Sequence, residues 1–216
     1  MDANVIVDGL IFYIGLVVLL TFHEFAHAWV ASRCGDDTAR LLGRVSLNPV
    51  VHMDLIGTVL LPLFMIFGPG GLTRFAIGWA KPVPFNPANL HNRWRDEMLI
   101  AMAGPVMNLI LAVVLVGFAR VAVMFQSMET AVLLVRMAQL SLLLCFFNLI
   151  PIPPLDGSHV LRNITGMSYE TYWHLSRFGF IAIILVLQIP DVRELLRAVT
   201  DSVLNLLIAV FQFPHS

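Results

Sequence analysis

The stretch His23-Glu24-Phe25-Ala26-His27 places two imidazoles four residues apart with a carboxylate beside the first. On a helix, positions i and i+4 share a face, so two ring nitrogens can meet one zinc ion while Glu24 reaches a water bound there. Zinc brings the pKa of such a water from near 16 to about 7, and the carboxylate can take its proton as the oxygen attacks a carbonyl carbon. The chemistry so assembled is peptide hydrolysis. The competing role is an interfacial cap, with the histidines snorkelling at a helix end. Depth weighs against that role, because Leu19-Leu20-Thr21-Phe22 lead directly into His23 and ionisable groups within a bilayer are costly.

Two histidines leave zinc short of ligands, so a third donor must come from elsewhere, with one position open for water. The best candidate is Asp156, in Asn148-Leu149-Ile150-Pro151-Ile152-Pro153-Pro154-Leu155-Asp156-Gly157. There a carboxylate follows an apolar run through prolines that cannot continue a regular helix, and Gly157 permits a turn. Taken alone, the same residues also describe a surface turn with a solvated aspartate.

Ala103-Gly104-Pro105-Val106-Met107-Asn108 sets an amide inside a second apolar run, with Gly104 and Pro105 allowing close helix approach and a local break. Asn108 is a candidate to hydrogen-bond a substrate backbone or a developing oxyanion, or to tie two helices together. Asn148 poses the same choice. His52 beside Asp54, and His159 after the Asp156 loop, are candidates to support the ligands, with an interfacial place the plainer reading for His52. His91, His174 and His215 read as boundary residues. Glu97 reads as a first-turn charge suiting a helix dipole. Trp29, Trp79, Trp94 and Trp173 read as interface anchors.

These residues need a scaffold, and composition says which kind. Of 216 residues, 58% are hydrophobic and only 12% charged, about half the charged share of ordinary soluble domains. Mean hydropathy is +0.84, which identifies an integral membrane protein. A net charge of −1 gives no support for nucleic-acid binding, and Cys34 and Cys145 suggest neither a disulfide framework nor a cysteine metal site. The N-terminus lacks the basic start and cleavage site of a signal peptide, so the first apolar run is expected to be retained.

Spans are expected at about 5–31, 98–125, 131–150 and 172–189. Residues 195–213, interrupted by Arg197, Asp201 and Asn205, are expected to lie in the interface or to span weakly. The segment 33–96 is rich in Gly and Pro. Within it, the short apolar run 55–67 suits a re-entrant hairpin, and residues 72–85 suit short strands at the membrane surface. The expected fold is therefore an all-α polytopic membrane protein. Three helices form its catalytic core, peripheral helices surround them, and a short re-entrant or membrane-surface β region lies between the first two core helices.

At these three motifs the sequence resembles the site-2 protease family of intramembrane zinc metalloproteases, over about residues 5–165. That family combines H-E-x-x-H, a G-P-x-x-N-like pattern and an N-x-x-P-x-P-x-L-D-G-like motif on successive core helices, and all three occur here in that order. The extra proline of Pro153-Pro154 departs from the usual pattern without disturbing ligation. Gly78-Trp79-Ala80-Lys81-Pro82-Val83-Pro84 resembles the extended surface region of compact members. The resemblance implies one zinc per chain on His23, His27 and Asp156, Glu24 as general base, and Asn108 and Asn148 as substrate or oxyanion contacts. It implies a protease core at 1–165, with residues 166–216 as further helices of the same domain. The partners implied are transmembrane segments of membrane-protein substrates in a lipid bilayer. No PDZ or CBS domain is expected.

If the first span runs outside to inside, the three motifs meet in the cytoplasmic leaflet only when residues 33–96 make no net crossing. Arg33, Arg40, Arg44, Lys81, Arg93, Arg95 and Arg162 then all lie on the cytoplasmic side, as the positive-inside bias prefers. Low lysine content and the lack of a disulfide signal suit a prokaryotic inner membrane. Two rival functions remain, a divalent-metal transporter and a catalytically inactive zinc-binding scaffold. The first should show a polar path or repeated halves, and neither is evident. The second has no chemical need for Glu24.

Overall fold

The apolar run that carries His23 and His27 forms one helix, α1 (Ala3–Arg33), in the computed structural model, which describes residues 3–67 and 79–212. Its 28-residue stretch Ile6–Arg33 is long and apolar enough to cross a membrane, as are α4 (Arg93–Met124) and α5 (Met128–Asn148). At 1.5 Å per residue, α4 is about 48 Å long against a hydrocarbon core of about 30 Å, so its ends extend into the polar layers. The protein is an integral membrane protein. The chain divides into two units, Met1–His91 and Asn92–Ser216.

In the first unit, α1 is followed by a tight turn at Gly35, with φ +103°. A Cβ there would stand 2.8 Å from the His91 Nε2 and 2.9 Å from the Asn89 carbonyl oxygen, so the position demands glycine on two counts. Asp36 organises the turn. Its buried carboxylate accepts from Thr38 N and Oγ1, Asn86 N and Asn89 Nδ2, which joins the short helix α2 (Thr38–Leu41) to the segment that closes the unit.

Residues expected to form a re-entrant hairpin are instead continuously helical. A wide turn, Leu55–Leu60, leads straight into α3 (Leu61–Phe67). Asp54 starts it by accepting from Ile56 N at 3.0 Å and Gly57 N at 2.7 Å, which satisfies two orphan donors of a helix start where a hairpin would have needed a reversal. No strand occurs among the described residues. Residues 79–86 run without helix or strand, while 72–78 of the expected β region lie outside the described residues.

In the second unit, Asn92 caps α4 by accepting from Arg95 N at 3.2 Å, while Asp96 accepts from Asn92 N at 2.8 Å. The helix runs unbroken through Pro105, so the expected local break is absent. Packing around buried Gly104, Pro105 and Asn108 holds the helix where proline alone would interrupt it. α5 returns alongside, and Ala112, Val116, Ala138 and Leu142 form a core with Leu204 of α9 (Pro190–Val210).

The expected fourth span at 172–189 is not one helix. It is divided into α7 (Tyr169–Ser176) and α8 (Gly179–Gln188), and neither reaches the length of a bilayer. The division falls beside Gly179, where a Cβ would collide with the Pro153 carbonyl. α9 is 21 residues long, with Glu194, Arg197, Asp201 and Asn205 exposed along one side, and it is not among the three span-length apolar helices found among the described residues.

Candidate metal centre and its supports

In the first unit, the Nε2 atoms of His23 and His27 lie 3.1 Å apart, their rings edge-on at 79° with centroids 4.7 Å apart. Two nitrogens held tetrahedrally at about 2.0–2.1 Å from one zinc ion stand about 3.3–3.4 Å from each other. The pair therefore fits two sites of a single ion. Both histidines are buried, as is Glu24 between them. Helical spacing accomplishes the convergence, because α1 continues without interruption through the motif.

Two buried residues outside the motif feel the Glu24 charge. Burial pushes the Arg44 guanidinium down from its ordinary pKa, and the Glu24 carboxylate draws it back up. For His52 burial again dominates and lowers the pKa. The bond to Ser46 raises it, Arg44 lowers it and Glu24 raises it, leaving it below the ordinary value. A neutral His52 donates from Nε2 to the Ser46 carbonyl at 2.8 Å, which leaves Nδ1 as the acceptor, buried with no protein partner among the described residues.

Arg44 also fixes the extended segment that begins at Trp79. Its Nη2 donates to the Lys81 carbonyl and its Nη1 to the Pro82 carbonyl at 3.4 Å. Lys81 N donates to the His52 carbonyl at 2.8 Å, Trp79 N to the Gly57 carbonyl at 3.1 Å, and Thr58 Oγ1 to the Trp79 carbonyl at 2.7 Å. Gly57 leaves room for the Trp79 ring, which a Cβ would overlap. Nothing in the spacing of Arg44 separates it from the other basic residues of the polar segment. Its role comes from long-range backbone contacts.

In the second unit, Asp156 is the first residue of α6 (Asp156–Thr165), half-buried at the helix N-terminus. Gly157 is needed here for close approach and not for a turn, since it is helical and a Cβ would collide with the Leu149 carbonyl at the end of α5. Ser158 Oγ donates to the Leu155 carbonyl at 2.6 Å and meets the Tyr172 hydroxyl at 3.1 Å. That hydroxyl is 3.0 Å from His159 Nε2, so His159 supports the start of α6 through α7.

Asn108 is fully buried on α4, and its backbone carbonyl accepts from Ser141 Oγ of α5 at 2.7 Å. Asn148 spends one amide donor on the Leu144 carbonyl of its own helix at 2.8 Å. Glu97, expected to be a simple first-turn charge, is instead buried and paired with Arg162, and it also accepts from the Tyr169 hydroxyl. Sequence spacing gives no sign of a partner 65 residues away.

A buried pair of imidazoles with a carboxylate beside it, on a helix long enough to span a bilayer, defines a membrane-embedded metal-binding protein. The sequence profile of peptidase family M50 matches residues 11–132 and 120–187. The chain belongs to that family, the site-2 protease family. It is 35% identical over 213 residues to the Bacillus subtilis (strain 168) protein named "Putative zinc metalloprotease YwhC", covering 92% of this chain and 91% of that one. The similarly named Rip2 of Mycolicibacterium smegmatis is 30% identical, over 83% of this chain and 67% of its own. The regulator of sigma-E protease RseP of Escherichia coli (strain K12) is 33% identical over 47% of this chain and 23% of its own. No solved structure matches. The protein is a zinc metalloprotease of the membrane.

Proposed function

We propose that the protein is an intramembrane endopeptidase that cuts peptide bonds within or near transmembrane segments of membrane-protein substrates, with its site toward the cytoplasmic side of a prokaryotic inner membrane. The observation that carries the reading is the convergence of the two Nε2 atoms beside buried Glu24 on a span-length helix. His23, His27 and Asp156 would hold one zinc ion, a donor set of two imidazoles and a carboxylate that leaves a position open for water. Bound there, zinc would supply Lewis acidity, lowering the pKa of a water and polarising a carbonyl. Glu24 would serve as general base and acid, its carboxylate taking a proton from the attacking water and passing it to the departing amine. Asn108 and Asn148 are assigned to the substrate backbone or the oxyanion.

A helical substrate shields its own peptide bonds, so a local unfolded stretch must be presented. Residues 79–85, which run without helix or strand, are assigned to receive it by main-chain contacts, which ask little of the substrate sequence. The charges of 33–96 support the cytoplasmic placement, since Arg33, Arg40, Arg44 and Lys81 then obey the positive-inside bias.

The test is cleavage of a panel of transmembrane peptides by purified, zinc-loaded protein beside Glu24→Gln, read by mass spectrometry. Cuts inside apolar segments that vanish in the variant, while zinc binding persists, are the expected result. Identical cutting by both proteins would remove Glu24 from the mechanism. Zinc binding by folded protein with no turnover of any peptide would favour an inactive scaffold.

A further inference from the structure

The C-terminal half of α6 is gripped from the first two turns of α4 at several points. Arg162 and Glu97 form an ion pair in which both side chains are about 5% exposed. The Tyr169 hydroxyl donates to the same Glu97 carboxylate, and the Arg162 guanidinium lies 3.9 Å over the Tyr169 ring. Arg93 Nε reaches Glu97 Oε1 at 3.3 Å from the outer side. One residue on, Trp94 Nε1 donates to the Asn163 carbonyl at 3.1 Å, and Asn163 Nδ2 donates to the Trp94 carbonyl.

A buried ion pair is a poor source of stability, because removing two charges from water offsets most of their attraction. It does impose direction. The guanidinium is a rigid planar fork that pairs with a carboxylate in few orientations. Here the fork is also stacked on a ring, which fixes the rotation of α6 as well as its distance from α4. Asp156 stands six residues earlier on the same helix, where Gly157 seats the backbone against Leu149 with no slack.

We infer that Glu97 and Arg162, bridged by Tyr169, are positioning residues that set the tilt and rotation of α6 and thereby aim the Asp156 carboxylate. The inference rests on the reading of Asp156 as a zinc ligand. Six residues of helix measure about 9 Å, so a tilt of about 10° about Arg162 displaces the first residue by about 1.6 Å. Zinc–ligand distances hold within about 0.2 Å, so such a shift takes the carboxylate out of reach. Hydrophobic replacement of the pair would keep α6 packed and still lose the aim.

The experiment is a double-mutant cycle on the full chain in detergent, with zinc affinity measured by competition against a chromophoric chelator. Glu97→Gln is expected to weaken zinc binding by about tenfold or more. Amide exchange over residues 156–163 of the metal-free protein should rise while α5 stays protected. Asp156→Asn is expected to weaken zinc binding at least as much, and the double variant should bind no worse than Asp156→Asn alone, because Glu97 acts through Asp156. Unchanged affinity in Glu97→Gln, or additive losses in the double variant, would overturn the inference while leaving Asp156 as a ligand. Unchanged affinity in Asp156→Asn would overturn the ligand assignment and the inference with it. Arg162→Lys keeps the charge but loses the fork, and it serves the same cycle with the same outcomes if Glu97→Gln does not fold.

Discussion

Gly157 and Leu149 meet backbone to backbone, so that the first turn of α6 rests directly on the carbonyls just past the end of α5. A Cβ at Gly157 would collide with the Leu149 carbonyl and stand 2.8 Å from that of Ile150. Neither neighbour is a flexible side chain, so the backbone itself must move. Gly157→Ala is therefore expected to destabilise the protein by about 1–3 kcal/mol, as overpacking does. It should also weaken zinc binding by about tenfold, since the residue beside it is Asp156. Thermal unfolding and chelator competition on the same preparation check both effects. A stable variant with full zinc affinity would show that α6 tolerates lifting away from α5.

Arg44 provides the second prediction. It is buried, and its two Nη atoms hold the Lys81 and Pro82 carbonyls. Arg44→Lys supplies a charge but cannot serve both carbonyls from the same place, whereas Arg44→Met removes charge and donors together. Both should loosen residues 79–82. If this segment lines the path of an unfolded substrate, KM should rise by about tenfold in either variant. Arg44→Met should raise it at least as far as Arg44→Lys, because both carbonyls then lack a donor. Steady-state cleavage and amide exchange at Lys81 measure these separately, and unchanged protection at Lys81 would count against the clamp.

These two residues mark where the sequence was legible and where it was not. His23 and His27 could be paired in advance because helical geometry alone brings positions four apart onto one face. Gly157 was visible as a special position, but turn chemistry and close approach leave the same residue type in a sequence, and only the Leu149 contact distinguishes them. The helix at residues 55–67 was missed because Gly57 and Pro62 read as breakers. Asp54 capping and the Trp79 ring over Gly57 outweigh them. Residues 172–189 are apolar enough for a span, yet the approach of Gly179 to Pro153 divides them. Arg44, Glu97 and Arg162 were legible only as charges, since their partners lie 37, 65 and 65 residues away.

Asp36 gives a dependence on pH. Burial alone would raise its pKa, but hydrogen bonds from Thr38, Asn89 and Asn86 favour the ionised form and hold it below the usual carboxylate value. A carboxylate whose folded pKa lies below its unfolded one contributes stability above the unfolded pKa. That contribution is lost as pH falls through the folded value. Asp36→Asn removes an acceptor with four donors aimed at it, and it should destabilise the protein most at neutral pH. The gap between wild type and variant should close on acidification. Parallel unfolding curves across that range would mean that the turn after α1 does not depend on the charge.

Asn108 and Ser141 separate chemistry from packing. Ser141 Oγ donates to the Asn108 carbonyl and both residues are fully buried, so Ser141→Ala removes a tie between α4 and α5. It should cost about 1 kcal/mol in stability and leave turnover unchanged. Asn108→Ala keeps that backbone bond and removes only the amide. If the amide meets the substrate or the developing oxyanion, kcat should fall by about 10²–10³ with little change in KM, the range expected for one lost oxyanion donor. Measuring kcat, KM and unfolding temperature for both variants separates the roles. An Asn108→Ala protein that unfolds earlier but turns over at the wild-type rate would make the amide a helix tie.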